Sequence, residues 1–162
     1  MGKLVVTCEC LELLALAVWI GGLIVLIAAV IPAVFNSMGM EVGGRMLTRS
    51  FHGYDRLVLI SGALLILSML ARFWASVPER SVGKNEVSVV LVMIVLVAGL
   101  VLYLNPETAR LQDLAFSAKD PGVKRIAYDS FFTYHWMARA LYLTNMALGI
   151  LLLCLKVRKW AR

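Results

Sequence analysis

Hydrophobic and charged residues follow each other along this chain in long blocks. Four uncharged runs cover residues 13–35, 57–71, 87–104 and 140–155, and each is bounded by Arg, Lys, Asp or Glu. A helix of about twenty residues crosses the roughly 30 Å hydrocarbon core of a bilayer, and the two shorter runs lengthen naturally at one end. Because lipid offers no partners to backbone polar groups, the spans must be helical. The pattern predicts one all-α domain over residues 1–162, an integral membrane four-helix bundle.

The polar stretches between the runs have a pattern of their own. In residues 41–56, charged side chains recur at steps of four, three and four, which places them on one helical face: Arg45, Arg49, His52 and Arg56. Residues 107–119 are mildly amphipathic, so we expect short interfacial helices in the two longer loops. The residue before a proline disfavours helix, so Asn105 and Pro106 are expected to end the third span. A tight turn is expected at Pro78.

Composition supports the membrane assignment and limits the kinds of partner that the protein is expected to bind. Hydrophobic residues make up 61% of the chain and charged residues 16%, with a mean hydropathy of +0.85. The net charge of +6 comes from Lys and Arg beside the span ends, which favours anionic lipid headgroups over nucleic acid. The expected partners are therefore the lipid bilayer and other membrane subunits. The three cysteines, Cys8, Cys10 and Cys154, are an odd number and define no disulfide framework.

Alternating crossings put both termini on one side and the two longer connections on the other. Lys and Arg are evenly divided between the sides, but acidic residues dilute them mainly on the side of the longer connections. The positive-inside rule then favours cytoplasmic termini, in a bacterial inner membrane or its equivalent.

Two histidines are the sharpest chemical feature of the sequence. His52 precedes the second span and His135 the fourth, so both are expected on the same membrane face. Imidazoles from two helices of a bundle can ligate a haem iron, copper or zinc. The alternative is that each histidine makes a hydrogen bond at the level of the headgroups.

The fourth span carries a polar face. Steps of four, three, four and three residues after His135 line up Arg139, Tyr142, Met146 and Gly149, with Asn145 adjoining. An arginine in lipid costs roughly 3 kcal/mol unless it is paired, and Asp55 and Asp129 are candidate partners. The face serves either as a polar clamp between helices or as a site for a substrate or a haem propionate.

Two further groups of residues suggest binding. Arg49 and Arg56, together with Arg45, flank His52 and are suited to a phosphate or carboxylate, although such a stripe is also typical of a solvated basic edge. The three cysteines suggest a soft-metal or lipidation site, or simply scattered free thiols.

Small residues predict where the helices approach each other closely. The candidate packing positions are Trp19, Gly21, Gly22, Gly62, Gly99 and Gly149.

Several short motifs resemble known families. The sequence Ala17-Val-Trp-Ile-Gly-Gly22, then Pro32-Ala-Val-Phe35, and finally Phe132-Thr-Tyr-His135 with Asn145 resemble the transmembrane-protein-205-like family, whose members have four spans and no settled biochemical function. The Trp-x-Gly-Gly motif is similar to the copper-resistance protein D group and to the four-span protoporphyrinogen oxidase group. The first resemblance implies the fold, and the second would imply metal or haem chemistry.

Three functions follow from these features. The preferred hypothesis is a non-catalytic accessory subunit of a membrane complex or a small transport-accessory protein, because the spans carry few polar groups. The alternative is a haem- or metal-binding redox protein that uses His52 and His135. The third is a transporter for a metal or small solute, which requires a polar cavity at mid-membrane.

Overall fold

The computed structural model of the protein describes residues 2–75 and 81–160. Six helices follow each other along the chain: α1 (Gly2–Val25), α2 (Ile31–Ser37), α3 (Met40–Ala75), α4 (Lys84–Gly99), α5 (Asn105–Ser117) and α6 (Pro121–Trp160). The turn predicted at Pro78 lies outside the described residues.

These elements form four long helices. A π-helical turn at Leu26–Val30 joins α1 to α2, and a second one at Leu100–Leu104 joins α4 to α5. The four helices, Gly2–Ser37, Met40–Ala75, Lys84–Ser117 and Pro121–Lys159, are long and apolar enough to cross a membrane. The prediction of an all-α four-helix bundle is thus confirmed. We call the end with both termini the terminal end, and the end with the connections 38–39 and 118–120 the loop end.

The helices are longer than the hydrocarbon core requires. A helix of 36 residues such as α3 is about 54 Å long, against a core of roughly 30 Å. The two stretches predicted as short interfacial helices are both helical, but each continues a longer helix. Residues 41–56 are part of α3, and residues 107–117 belong to α5, which continues α4 through the second π-helical turn. Gly43, Leu47 and Tyr54 are buried, so the apolar side of this polar stretch packs on the bundle and the helix has no reason to break.

Proline does not end the third span as the sequence predicted. The amide of Asn105 donates to the carbonyl of Leu100, five residues back, just before Pro106. The amide of Ile31 donates in the same way to Leu26, just before Pro32. Each π-helical turn shifts the hydrogen-bond register by one residue, so that the proline falls in a new first turn, where a missing N–H is tolerated.

The two helix pairs repeat one another. Glu86, the second π-helical turn and Pro106 each lie 74 residues after Glu12, the first π-helical turn and Pro32. Buried core positions follow the same offset, as the pairs Leu16 and Val90, Trp19 and Met93, and Leu23 and Val97 show. In α3 and α6 the buried pairs lie 84 residues apart: Ser61 and Asn145, Leu65 and Gly149, and Arg72 and Lys156. The bundle is therefore built from two similar hairpins that run in the same direction, a repeat whose axis lies along the bundle.

Glycines allow close approach at three of the predicted packing positions. A Cβ on Gly22 would lie 3.0 Å from the ring of Tyr54, one on Gly62 2.9 Å from Ile94, and one on Gly149 3.1 Å from Ile20. Trp19, only 2% exposed, packs in the central core.

Gly21 and Gly99 were predicted as packing positions, but neither lies at a close contact between helices. A Cβ on either glycine would meet nothing within 4 Å, because both point away from the neighbouring helices. Adjacent residues on a helix point about 100° apart, so Gly21 and Gly22 cannot both face one partner.

Candidate functional site

A cavity of about 460 Å³ lies at the loop end, between the ends of all four long helices. Its wall is mainly aliphatic and aromatic. The polar residues that line it are Thr48, His52, Asn105, Thr108, Gln112, Tyr128, His135, Arg139 and Tyr142. A pocket of this size with a few convergent polar groups is typical of a small-molecule site.

The structure brings together four of the residues singled out in the sequence. His52 and His135, from α3 and α6, line the same cavity, and so do Arg139 and Tyr142. Their convergence follows from the antiparallel packing of long helices, which carries the start of α3 and the middle of α6 to one level.

Three predicted site residues lie elsewhere. Arg49 and Arg56 are exposed and do not line the cavity. Asn145 is 2% exposed and donates from Nδ2 to the carbonyl of Met93, at 3.0 Å. Asn145 thus acts as a helix-to-helix clamp in the middle of the bundle, in keeping with one of the two roles expected of this face.

His135 and Arg139 both rest on aromatic rings. The imidazole of His135 stacks on Phe131 with the ring centroids 5.6 Å apart. The guanidinium of Arg139 lies 5.1 Å from the ring centroid of Trp136, a cation–π contact. Arg139, which lines the cavity, thus rests on the exposed ring of Trp136.

Arg139 does not pair with either of the two carboxylates expected for it, Asp55 and Asp129. Asp55 is occupied by other groups, Asp129 is exposed, and within residues 2–75 and 81–160 the structure gives Arg139 no ion pair. Arg139 is itself exposed, so its charge is solvated rather than buried and needs no internal partner.

Asp55 forms a three-residue cluster with Asn105 and Tyr142. The hydroxyl of Tyr142 donates to Asp55 Oδ1 at 2.6 Å, and Asn105 Nδ2 donates to Asp55 Oδ2 at 2.7 Å. Asn105 Nδ2 also lies 2.8 Å from the Tyr142 hydroxyl. Because α3, α5 and α6 each supply one member, the cluster ties three long helices together at the base of the cavity.

A second polar contact crosses the upper part of the cavity. Thr48 donates to Gln112 Oε1 at 2.6 Å, and a Cβ on Gly44 would lie 2.6 Å from Gln112 Nε2. Gly44 therefore makes room for the Gln112 side chain, which links α3 to α5.

The terminal end contains a charge quartet: Glu12, Arg72, Glu86 and Lys156, one from each long helix. Arg72 Nη1 lies 2.7 Å from Glu12 Oε2 and 3.9 Å from Glu86 Oε2. Lys156 Nζ bonds to Glu12 Oε2 and lies 3.3 Å from Glu86 Oε2. All four are at most 5% exposed. The quartet is the centre of a larger network, because buried Glu9 lies 3.7 Å from Arg72 and Lys159 Nζ lies 3.4 Å from Glu86 Oε1. Three acids and three bases then cancel, so the bundle holds these groups without a net charge.

Sequence reasoning missed this quartet. It assigned the Lys and Arg residues beside the span ends to anionic lipid headgroups. The signal that could have revealed it is spacing. Glu12 lies four residues before Leu16 and seven before Trp19, on the face that packs, and Glu86 repeats Glu12 74 residues later.

Metal ligands are sparse across the part of the chain that the structure describes. No group of three or more His, Cys, Asp or Glu side chains is placed to hold a metal ion there. Cys8 is buried, Cys10 and Cys154 are exposed, and all three are free thiols. The two histidines share a cavity without a third ligand of these types.

The fold and its apolar surface define a multi-pass membrane protein with four spanning helices. Residues 14–117 match the model of a family described as a domain of unknown function, DUF4149. This segment is more than half of the chain, so the chain belongs to that family. The matched segment ends at Ser117. Helix α6, which carries His135, Arg139 and Lys156, lies outside this segment. No curated protein and no solved structure matches the chain.

Proposed function

We propose that the protein is a non-catalytic accessory component of a membrane assembly, either a subunit or a transport-accessory protein. The loop-end extension of α3 carries this proposal. Residues 40–56 extend α3 for about 25 Å beyond the uncharged run 57–71, at 1.5 Å per residue. They expose apolar Met40, Val42 and Met46 beside the basic side chains of Arg45 and Arg49.

An exposed surface that mixes apolar and basic side chains outside the bilayer suits contact with another protein. The polar groups inside the bundle support the same proposal, because the charge quartet and the Asp55 cluster are engaged between helices. The resemblance to the transmembrane-protein-205-like family remains a prediction, and it adds no activity.

Native-mass measurement tests this proposal. The tagged protein, expressed at its native level and extracted in a mild detergent, should run as an assembly larger than its own 17.9 kDa and should retain another membrane polypeptide. Arg49→Glu should release that polypeptide, whereas Arg158→Glu, exposed at the terminal end, should retain it. A lone monomer obtained from both detergent and native nanodiscs would contradict the proposal.

A haem- or metal-binding redox protein is the second candidate. It is favoured by one observation, the presence of His52 and His135 in the wall of a single cavity. An absorption spectrum of protein purified with added haem, with a reduced-minus-oxidised difference, tests it. A Soret band that disappears in His52→Ala and in His135→Ala supports this function, and the absence of any band excludes haem.

Transport through the bundle finds less support. The centre is filled by Leu16, Trp19, Leu65, Met93 and Leu152, and the buried polar side chains near this layer include Ser61 and Asn145. A solute path would have to pass through this packed layer.

We also infer that the termini face the cytoplasm. A reporter fused after Arg162 that is active only in the cytoplasm should be active, and activity of an export-dependent reporter would reverse the orientation.

A further inference from the structure

We propose that the loop-end cavity binds an anionic phospholipid taken from the surrounding bilayer, with an acyl chain in the cavity and the headgroup beside Arg139. This inference does not depend on the accessory role proposed above.

The charges of the lining select an anion. Arg139 and the two imidazoles of His52 and His135 line the cavity, and none of the described lining residues is Asp or Glu. Asp55, the nearby buried carboxylate, is held by Asn105 and the hydroxyl of Tyr142. Among the described lining residues the charged group is therefore the Arg139 guanidinium, with neutral polar groups beside it and no carboxylate, which suits a phosphate.

The apolar wall selects a hydrocarbon chain. Along α6 the lining residues range from Tyr128 to Leu143, fifteen helical steps apart, so the cavity extends for about 22 Å. A volume of about 460 Å³ lies within the range of roughly 300–1,000 Å³ seen in small-molecule sites. A cavity of this length and volume suits one long acyl chain better than a compact, polar solute.

The cavity reaches the lipid-facing surface. Ile27 of the first long helix and Leu143 of the fourth line it, and they are 39% and 41% exposed. Both residues lie within the apolar runs that cross the membrane. A lipid can thus enter sideways from the bilayer, without a route through water.

The position of Arg139 fits the phosphate of such a lipid. Arginine and tryptophan side chains concentrate at the headgroup level, and Arg139 rests on Trp136 at the edge of the apolar run. Its guanidinium is exposed and without an ion pair among the residues that the structure describes, so its N–H groups can reach a headgroup.

Lipid retention in native mass spectrometry tests the proposal. The protein is reconstituted in vesicles of neutral phosphatidylcholine with 20 mol% phosphatidylglycerol, as is standard for such probes, and then released into the spectrometer. We expect one phosphatidylglycerol retained per monomer. Ala109→Phe, which fills the cavity from α5, should lower retention about tenfold. Ala140→Phe, exposed on α6 outside the lining, should match the wild type.

A charge variant separates the headgroup from the chain. Arg139→Gln should keep a bound lipid but lower the preference for phosphatidylglycerol over phosphatidylcholine about tenfold, the usual effect of losing one charge-assisted contact. Arg125→Gln, exposed on the same helix and outside the lining, should keep the preference.

Several outcomes would overturn the proposal. They are equal retention of the two lipids by the wild type, equal retention by Ala109→Phe and the wild type, and a haem Soret band with no bound lipid. If Ala109→Phe does not fold, judged by its elution and thermal unfolding, the milder Ala109→Leu takes its place. Unchanged retention in that folded variant counts against the proposal equally.

Discussion

Removing one carboxylate from the charge quartet should destabilise the whole bundle. Glu12 is fully buried, and its Oε2 contacts both Arg72 and Lys156. Glu12→Leu keeps a similar volume but leaves Glu86 as the single acid of the quartet opposite two cations, with Glu9 outside the quartet at 3.7 Å from Arg72. Breaking a buried ion pair from one side costs about 3–5 kcal/mol. We expect about 3 kcal/mol, because Glu86 already lies 3.3 Å from Lys156 and 3.9 Å from Arg72.

Removing a cation together with the acid should reverse most of this loss. Glu12→Leu combined with Lys156→Met leaves Arg72 opposite Glu86 and restores a zero net charge. Replacing a buried pair by apolar side chains is often neutral or stabilising. The double variant should therefore unfold within about 1 kcal/mol of the wild type, far from the sum of about 6 kcal/mol for independent single changes.

Equilibrium unfolding in bicelles, followed by steric trapping or by circular dichroism, measures these free energies. Glu41→Leu is the matched control, since Glu41 pairs with Arg45 at 3.2 Å on the surface, where such a pair contributes at most about 0.5 kcal/mol. Two results would refute the reasoning. One is a cost below about 1 kcal/mol for Glu12→Leu, and the other is additivity in the double variant.

The remaining predictions compare matched pairs of variants in the same unfolding assay. Gly22→Ala should cost about 1–2 kcal/mol, because its Cβ meets the Tyr54 ring at 3.0 Å. Gly21→Ala should be neutral or slightly stabilising, and equal costs for the two would show that the ring gives way. Tyr142→Phe should cost about 1–3 kcal/mol, because it takes one of two partners from a buried carboxylate. Tyr103→Phe loses an exposed hydroxyl contact of 3.5 Å and should be silent; similar losses in both would exclude the assigned hydrogen bond.

The number of spans and the convergence of the histidines could be predicted from the sequence, because both depend on hydrophobic periodicity and alternation. The length of the helices could not. Pro106 argues against a continuing helix, and only a shift of the hydrogen-bond register at Leu100–Leu104 removes that conflict. Such a shift arises from the packing of the whole helix and leaves no local signal beyond the proline itself.

The charge quartet could not be predicted from the sequence, for a related reason. A charged residue near the end of an apolar run is ordinarily assigned to the interface, as the sequence analysis assigned the Lys and Arg residues beside the span ends to lipid headgroups. Arg72 and Lys156 are instead buried against acidic partners from two other long helices, so no single segment reveals their burial. The offset of 74 residues between Glu12 and Glu86 is a long-range regularity that becomes informative only when the two hairpins are compared with each other.

The charge quartet and the Asp55 cluster form two polar layers, and these layers suit the two ends of the bundle to different roles. On α3, Asp55 and Arg72 are seventeen residues apart, so the layers are separated by about 25 Å. The quartet fills the terminal end with mutually paired charges from all four long helices. The Asp55 cluster joins only three of them, and the first long helix meets the fourth there across a cavity instead. Binding should therefore occur at the loop end, while the terminal end holds the two hairpins together.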